Sequence, residues 1–199
     1  MRLRNSTGIC SKRLTEMFAE AVGDWPTGNI DVAVRHSRGS EFSGSCYYSP
    51  PRIYINLGRD NRYPYHIRTH IARASSNARC WWRELYTVEL ADASQLALFI
   101  FLHEFYHWLV RQARRNSRQK EARCDRFATR HLVDVHGCKV RDARGQIVSR
   151  HAWDFQDLEG FVAAAKRKTG HGVHAAPYPH PLQSASRPIA RDDQFLLFS

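Results

Sequence analysis

The residues best suited to chemistry are two histidines and a glutamate in the segment His103-Glu104-Phe105-Tyr106-His107. Four residues advance an α-helix by about 6 Å and slightly more than one turn, so His103 and His107 share one face. Both imidazoles can then reach one zinc ion at about 2.1 Å. Glu104 is rotated by about 100° from His103 and borders the open side of the ion, where its carboxylate can take a proton from an activated water molecule.

The pattern H-E-x-x-H is specific in this sequence. A chain of this composition would contain it about 0.02 times by chance. Apart from Glu104, the positions from Ile100 to Val110 carry no charge, as a helix at the buried floor of a cleft requires. The alternative is a core helix with two hydrogen-bonded histidines. It is less favourable because buried imidazoles and a buried carboxylate need partners, which a metal supplies directly.

A third metal ligand is expected from another segment, because catalytic zinc takes three protein ligands and keeps one position open. Glu121 lies 14 residues beyond His107, early in a second predicted helix that a turn at 116–117 folds back beside the first. Glu121 and Asp125 are four residues apart and share a face. We predict Glu121 as the ligand. Asp125 would accept a hydrogen bond from the outer ring nitrogen of a ligand histidine.

Several residues compete with Glu121 for this role. Cys124 is a nearby soft ligand, and Asp125 itself is another alternative. His131 and His136 are less favoured because they lie further along the helix. If Glu121 is not a ligand, it is a solvated acid at a helix N-terminus, where the helix dipole favours a negative charge.

Apolar periodicity predicts the elements that position these residues. Residues 1–169 are expected to form a single domain, and residues 170–199, which hold four of the eight prolines, a poorly ordered C-terminal tail. Helices are predicted at about 11–22, 65–74, 94–115, 117–135 and 153–168. Strands are predicted at 31–35, 45–49, 52–57 and 86–90, with a hairpin over 139–148.

Composition limits the class of protein. With 43% hydrophobic and 25% charged residues, the chain is predicted to be globular and not fibrous or wholly disordered. The longest apolar run, Leu96–Leu102, is far shorter than the ~20 residues of a membrane span, and no secretory signal is apparent. Five cysteines without a C-x-x-C pair favour a reducing, cytoplasmic location. The net charge of +11 makes nucleic acid a plausible acidic partner.

The two predicted helices resemble a known family. His103-Glu104-x-x-His107 followed by Glu121-x-x-Cys124-Asp125-x-Phe127-Ala128 is similar to the gluzincin metallopeptidases, and most similar to the ImmA/IrrE group, whose second helix carries E-x-x-A-[DN]-x-F-A. The strand Arg52–Leu57 resembles the strand before the active helix of that group. The sequence departs from the pattern at Cys124, where the family has Ala, in an apparent insertion over 58–92, and in the tail.

The resemblance implies an α+β, zincin-like fold. A small mixed β-sheet would pack on the active-site helix and on the glutamate-bearing helix that follows, and an edge strand would bind substrate by β-addition. It also implies regulatory cleavage of a protein or peptide, with DNA-binding regulators among the expected substrates. The predicted function is therefore a zinc-dependent endopeptidase of narrow specificity.

Two other functions remain open. One is a basic nucleic-acid-binding or regulatory module that keeps a structural zinc site. The other is an interaction protein that uses an arginine-rich surface without metal. A basic run lies around and beyond the motif, either as a solvated face or as a rim that attracts an acidic substrate or DNA. It comprises Arg111, Arg114, Arg115, Arg118, Lys120, Arg123, Arg126 and Arg130.

Stabilisation of the oxyanion formed during amide hydrolysis needs a further donor. Tyr106, His66, His70 and Arg73 have suitable chemistry, but the sequence does not position them. Tyr106 is expected to serve packing on the active-site helix. His66 and His70 have the four-residue spacing of a metal pair, but they lack the intervening glutamate and the apolar surroundings, so a second metal site is not favoured.

Overall fold

The structure is a computed structural model that describes residues 1–115 and 120–168. The predicted tail and the predicted turn at 116–117 lie outside these residues. The strands are β1 (Arg2–Asn5), β2 (Asp31–His36), β3 (Phe42–Tyr48), β4 (Pro51–Leu57), β5 (Tyr65–Thr69), β6 (Ala74–Ser76), β7 (Trp81–Arg83), β8 (Tyr86–Leu90) and β9 (Val140–Arg141). The helices are α1 (Ser11–Val22), α2 (Ala93–Gln112), α3 (Lys120–His136) and α4 (Leu158–Lys168).

The principal sheet is mixed and has the strand order β1-β2-β4-β3. The first three of these strands run parallel, whereas β3 is antiparallel to β4 and forms an edge. The alternating pattern of β4 buries Ile53, Ile55 and Leu57 on one face. The α+β class is therefore confirmed, with a small mixed sheet.

Helix α2 forms the centre of the molecule. Asp92 begins it by accepting hydrogen bonds from the backbone N–H groups of Ser94 and Gln95. The helix packs against β3, β4, α1 and α3, and it is buried on nearly all sides from Leu96 to Val110. On the α1 side, the Phe18 and Phe101 rings stack with centroids 4.3 Å apart. The H-E-x-x-H segment thus lies on a rigid, enclosed element.

The segment between β4 and α2 corrects one prediction. A helix was expected over 65–74, but residues 65–69 form β5, which pairs with β8 in a second, antiparallel sheet of order β5-β8-β9. Ile67 and Thr69 alternate inward and are fully buried, so a strand period suits this segment better than a helical one. Strands β6 and β7 follow as a small, mostly exposed hairpin.

The other predicted helices and strands agree with the structure in type, whereas strands β1, β6 and β7 were not predicted. Helix α4 begins at Leu158 and not near 153, because Trp153 is buried beside a short 3₁₀ turn that precedes it. A hairpin turn joins β9 to Ile147, as predicted over 139–148. None of the described helices has the length and apolar character needed to cross a membrane.

Candidate metal centre

Two imidazoles of α2 meet at the face of the helix that α3 covers. The Nε2 atoms of His103 and His107 are 3.0 Å apart. His103 is completely buried, and the side chain of His107 is 11% exposed. The predicted four-residue stacking therefore occurs, and it directs both nitrogens to one point.

Helix α3 brings the carboxylate of Glu121 to the same point. Its Oε2 atom lies 3.1 Å from His103 Nε2, and its Oε1 atom lies 3.4 Å from His107 Nε2. Nitrogen and oxygen ligands about 2.1 Å from a tetrahedral ion are separated by about 3.4 Å. The distances between these three side chains thus fit a shared divalent ion without a change of backbone.

Asp125 approaches His103 from the opposite side of the ring. Its Oδ1 atom lies 2.9 Å from His103 Nδ1, and its side chain is 4% exposed. A hydrogen bond from Nδ1–H to this carboxylate leaves the lone pair of Nε2 directed at Glu121 and His107. The backbone N–H of His70 donates to the other oxygen of Asp125 at 2.8 Å.

The electrostatics of this group favour a cation. Burial disfavours the charged form of His103, but hydrogen bonds to Asp125 and Glu121 outweigh it and raise its pKa to about 10. Burial alone would raise the pKa of Glu121, yet its contacts with His103 and His107 lower it. A positive charge is therefore stabilised where the nitrogens and the carboxylate converge, and a metal ion meets the same requirement as a proton.

Cys124 also lies in this region. The ligand atoms of His103, His107 and Cys124 are all within 4.8 Å of one another, and Cys124 is completely buried. These three residues form a group that could hold a metal ion. Tetrahedral zinc separates its sulfur and nitrogen ligands by about 3.6 Å, so separations up to 4.8 Å require more movement than the Glu121 contacts do.

The carboxylate of Glu104 is held against strand β3. A β-carbon added at Gly44 would lie 2.4 Å from Glu104 Oε1 and 2.8 Å from Ile100 Cγ2. Glu104 is only 5% exposed, and its charge contributes to the raised pKa of His103. Gly44 thus allows the edge strand to approach the carboxylate of Glu104 closely, and no local pattern in the sequence indicates this contact.

The candidate oxyanion donors are separated by the fold. Tyr106 is buried and donates to the backbone oxygen of Leu158 at 3.0 Å, which is a packing role. His66 lies on β5 opposite Glu89, so the helical stacking that would place His66 and His70 on one face is absent. His70 contacts Asp125 through its backbone, and its Nδ1 atom lies 3.7 Å from the same carboxylate.

One polar residue near the centre was missed. Tyr48, at the end of β3, is half-buried, and burial together with the charges of Cys46, Glu104 and Cys124 raises its pKa to about 12. Its hydroxyl is therefore a neutral donor at physiological pH. Its distance in sequence from the H-E-x-x-H motif gave no indication of this proximity.

The basic run divides into two classes. Arg111 and Arg114 are exposed, as a solvated face predicts. Arg126 is 2% exposed, and Arg130 is partly buried with its guanidinium bonded to Asp154. The solvated interpretation is therefore wrong for these two. Residue 118 and the side chain at 120 lie outside the described part of the chain.

Comparison with known proteins adds no further constraint. The chain matches no protein-family model, no curated protein and no solved structure. The functional argument therefore depends on the geometry of the site.

Proposed function

We propose that this protein is a zinc-dependent endopeptidase of narrow specificity. The observation that carries the proposal is the convergence of two imidazole nitrogens and a carboxylate at separations of 3.0–3.4 Å, with a second, buried carboxylate behind one ring. Three protein ligands with an ordered hydrogen-bond partner behind them are typical of a catalytic zinc site.

His103, His107 and Glu121 would hold the ion. Bound zinc would act as a Lewis acid that polarises the substrate carbonyl and activates a water molecule. Glu121 is preferred to Cys124 because each of its oxygens already lies within 3.4 Å of an imidazole nitrogen. Zinc is proposed because two imidazoles and one carboxylate with an open fourth position form a ligand set of catalytic zinc.

Two further carboxylates have different roles. Asp125 would fix the tautomer and the orientation of His103 through the Nδ1 hydrogen bond. Glu104 would take a proton from the attacking water at its carboxylate and then pass it to the leaving amine. Its burial against Gly44 restricts the conformations of that carboxylate and limits access of bulk water.

The substrate would be an extended segment of a protein, such as a regulator that binds DNA. In the described part of the sheet, β3 is an edge strand and passes beside Glu104 at Gly44. A peptide added to this edge would run past the general base with its backbone hydrogen-bonded to β3. This geometry supports a peptide bond as the substrate in preference to a small-molecule amide.

The test compares the purified wild-type chain with Glu104→Gln. Elemental analysis should find one zinc per chain in both, whereas cleavage should fall by at least ~10²-fold in the variant because general-base catalysis is lost. Proteomic comparison of cells carrying either form should identify substrates as intact proteins that accumulate with Glu104→Gln. Undiminished cleavage by purified Glu104→Gln would refute the mechanism, and a chain that takes up no metal would refute the site.

A further inference from the structure

A concave site lies on α3, the helix that also carries Glu121 and Asp125. It is a cavity of about 260 Å³, and four arginines contribute to its wall. We refer to it as the arginine pocket. It is lined by Arg73, Ala74, Arg83, Ala122, Arg123, Arg126, Phe155 and Gln156.

The deepest of these arginines has no carboxylate partner. Arg126 donates to the backbone oxygens of Ile71 and Ala72 at 2.8 and 3.0 Å, and to the side-chain oxygen of Gln156 at 2.7 Å. All three acceptors are neutral. Burial and the nearby arginines lower the pKa of Arg126 to about 10, so it remains charged at physiological pH.

The other three arginines add positive charge to the pocket, and no acidic side chain among its described lining residues neutralises that charge. The guanidinium groups of Arg73 and Arg126 lie 3.9 and 4.3 Å from the centroid of the Phe155 ring, which holds both in place. The Nε atom of Arg83 is buried without a hydrogen-bond partner among the described residues. The part of the chain that the structure describes contributes no acidic residue to the pocket lining.

Arg126 is buried, Arg83 and Arg123 are partly buried, and Arg73 is exposed. The nearby Asp125 acts on Arg83 and Arg126 through its charge, but it is hydrogen-bonded to His103 and His70. An anion in the pocket would stabilise the desolvated guanidinium of Arg126.

The pocket and the metal centre share one structural link. Arg83 donates to the backbone oxygen of His70 at 2.9 Å, and the N–H of His70 donates to Asp125. Glu121 and Asp125 face the imidazoles, whereas Ala122 and Arg126 lie about 100° further around the same helix. Points 100° apart on a helix whose radius with side chains is about 5–6 Å are separated by about 8–9 Å. An extended peptide covers that distance in about three residues.

We propose that the arginine pocket binds an acidic side chain of the peptide substrate, about three residues from the cleaved bond. This inference rests on the proposed peptidase function. Guanidinium groups bind carboxylates through paired, charge-assisted hydrogen bonds, and here they converge on one small cavity. Nucleic acid is a poorer fit because its affinity comes from a row of phosphate contacts and not from one enclosed point.

Cleavage specificity provides the first test. A proteome-derived peptide library digested by the zinc-loaded protein should show a preference for Asp or Glu at one position near the cleaved bond. For a preferred peptide and its Asp/Glu→Gln counterpart, Arg83→Gln should lower kcat/KM about tenfold or more for the acidic peptide only. Arg73→Gln, at an exposed position that does not endanger folding, should act in the same direction. Arg144→Gln, in the exposed turn after β9, is the matched control and should change neither value.

Anion binding provides the second test and does not depend on turnover. Titration with glutarate at fixed ionic strength should give saturable binding that Arg83→Gln and Arg73→Gln weaken and Arg144→Gln does not. Equal glutarate binding by all forms would overturn the pocket assignment. Preferential binding of inorganic phosphate, with DNA binding that Arg83→Gln weakens, would overturn it in favour of a nucleic-acid surface. Glutarate binding without cleavage of any peptide would refute the peptidase and the substrate assignment while leaving a carboxylate site.

Discussion

The closest approach between the principal sheet and the proposed general base gives a sharp prediction for Gly44→Ala. The added methyl group would lie 2.4 Å from Glu104 Oε1 and 2.9 Å from its Cγ. Gly44 is not among the glycines with positive φ, so the substitution acts by contact and not by backbone strain. The methyl group would also lie 2.8 Å from Cγ2 of the buried Ile100, whereas the proposed ion ligands are not among its three nearest contacts.

The size of the effect follows from the displacement. Ordinary contacts of a β-carbon begin at 3.4 Å, so the carboxylate must retreat by about 3.4 − 2.4 = 1.0 Å. A misplacement of about 1 Å typically costs about 10²-fold in rate. We therefore expect Gly44→Ala to lower kcat by about 10²-fold, equivalent to about 2.7 kcal/mol of transition-state stabilisation.

The assay measures kcat on an identified substrate peptide together with zinc content and thermal stability. The matched control is Gly8→Ala, because an added β-carbon there has no atom within 4 Å and Gly8 is not among the positive-φ glycines. Zinc content should stay at one per chain in both variants. A Gly44→Ala protein with wild-type kcat would show that the position of Glu104 against β3 does not matter for catalysis. Loss of zinc together with activity would show that the contact acts on the ligands.

Three further predictions concern the metal ligands, the hydrogen-bond partner of His103, and the dependence of folding stability on the protonation of His131. Glu121→Ala should abolish stoichiometric zinc binding in a competition titration, whereas Cys124→Ala should retain it; the reverse result would make Cys124 the ligand. Asp125→Asn should weaken zinc binding about 10–100-fold, while Asp134→Asn, an exposed position on the same helix, should not. Burial lowers the pKa of His131 in the folded protein. The neutral, buried imidazole therefore contributes its full share of the folding stability above the unfolded-state pKa of about 6.5. That contribution is lost as the pH falls below about 6.5 and through the lower folded-state pKa. His131→Gln should therefore flatten the decline of the urea midpoint between about pH 7 and 5, and an unchanged slope would contradict the assignment.

The sequence predicts the helix that carries the H-E-x-x-H motif well, because the spacing of its histidines and its apolar character are both local features. The four-residue spacing of the histidines fixes their common face, and the apolar flanks predict burial on all sides. The position of Glu121 depends on the second helix packing back against the first, and α3 does pack against α2. The distances from Glu121 to His103 and His107 agree with the predicted set of three ligands. The assignment of Glu121 as a metal ligand stays a prediction.

Contacts between distant segments could not be predicted in the same way. The proximity of Gly44 to Glu104 depends on the register of β3 beside α2, which local periodicity does not encode. The segment around Ile67 was assigned to a helix because its arginines and histidines obscure the two-residue alternation. Arg126 resembles its solvated neighbours in the basic run, and only the packing of residues 71 and 72 against α3 buries it.

The apparent insertion between β4 and α2 is structurally part of both sites. Residues 70–72 cross α3 where two adjacent side chains of opposite charge hold them. Asp125 accepts the N–H of His70, and Arg126 donates to the oxygens of Ile71 and Ala72. Because Asp125 also contacts His103, the same short segment is linked to the proposed zinc ligand and to the arginine pocket. If the arginine pocket binds substrate as proposed, an occupied pocket would contact the backbone that also holds Asp125, and residues 70–72 would then couple the pocket to the proposed metal centre.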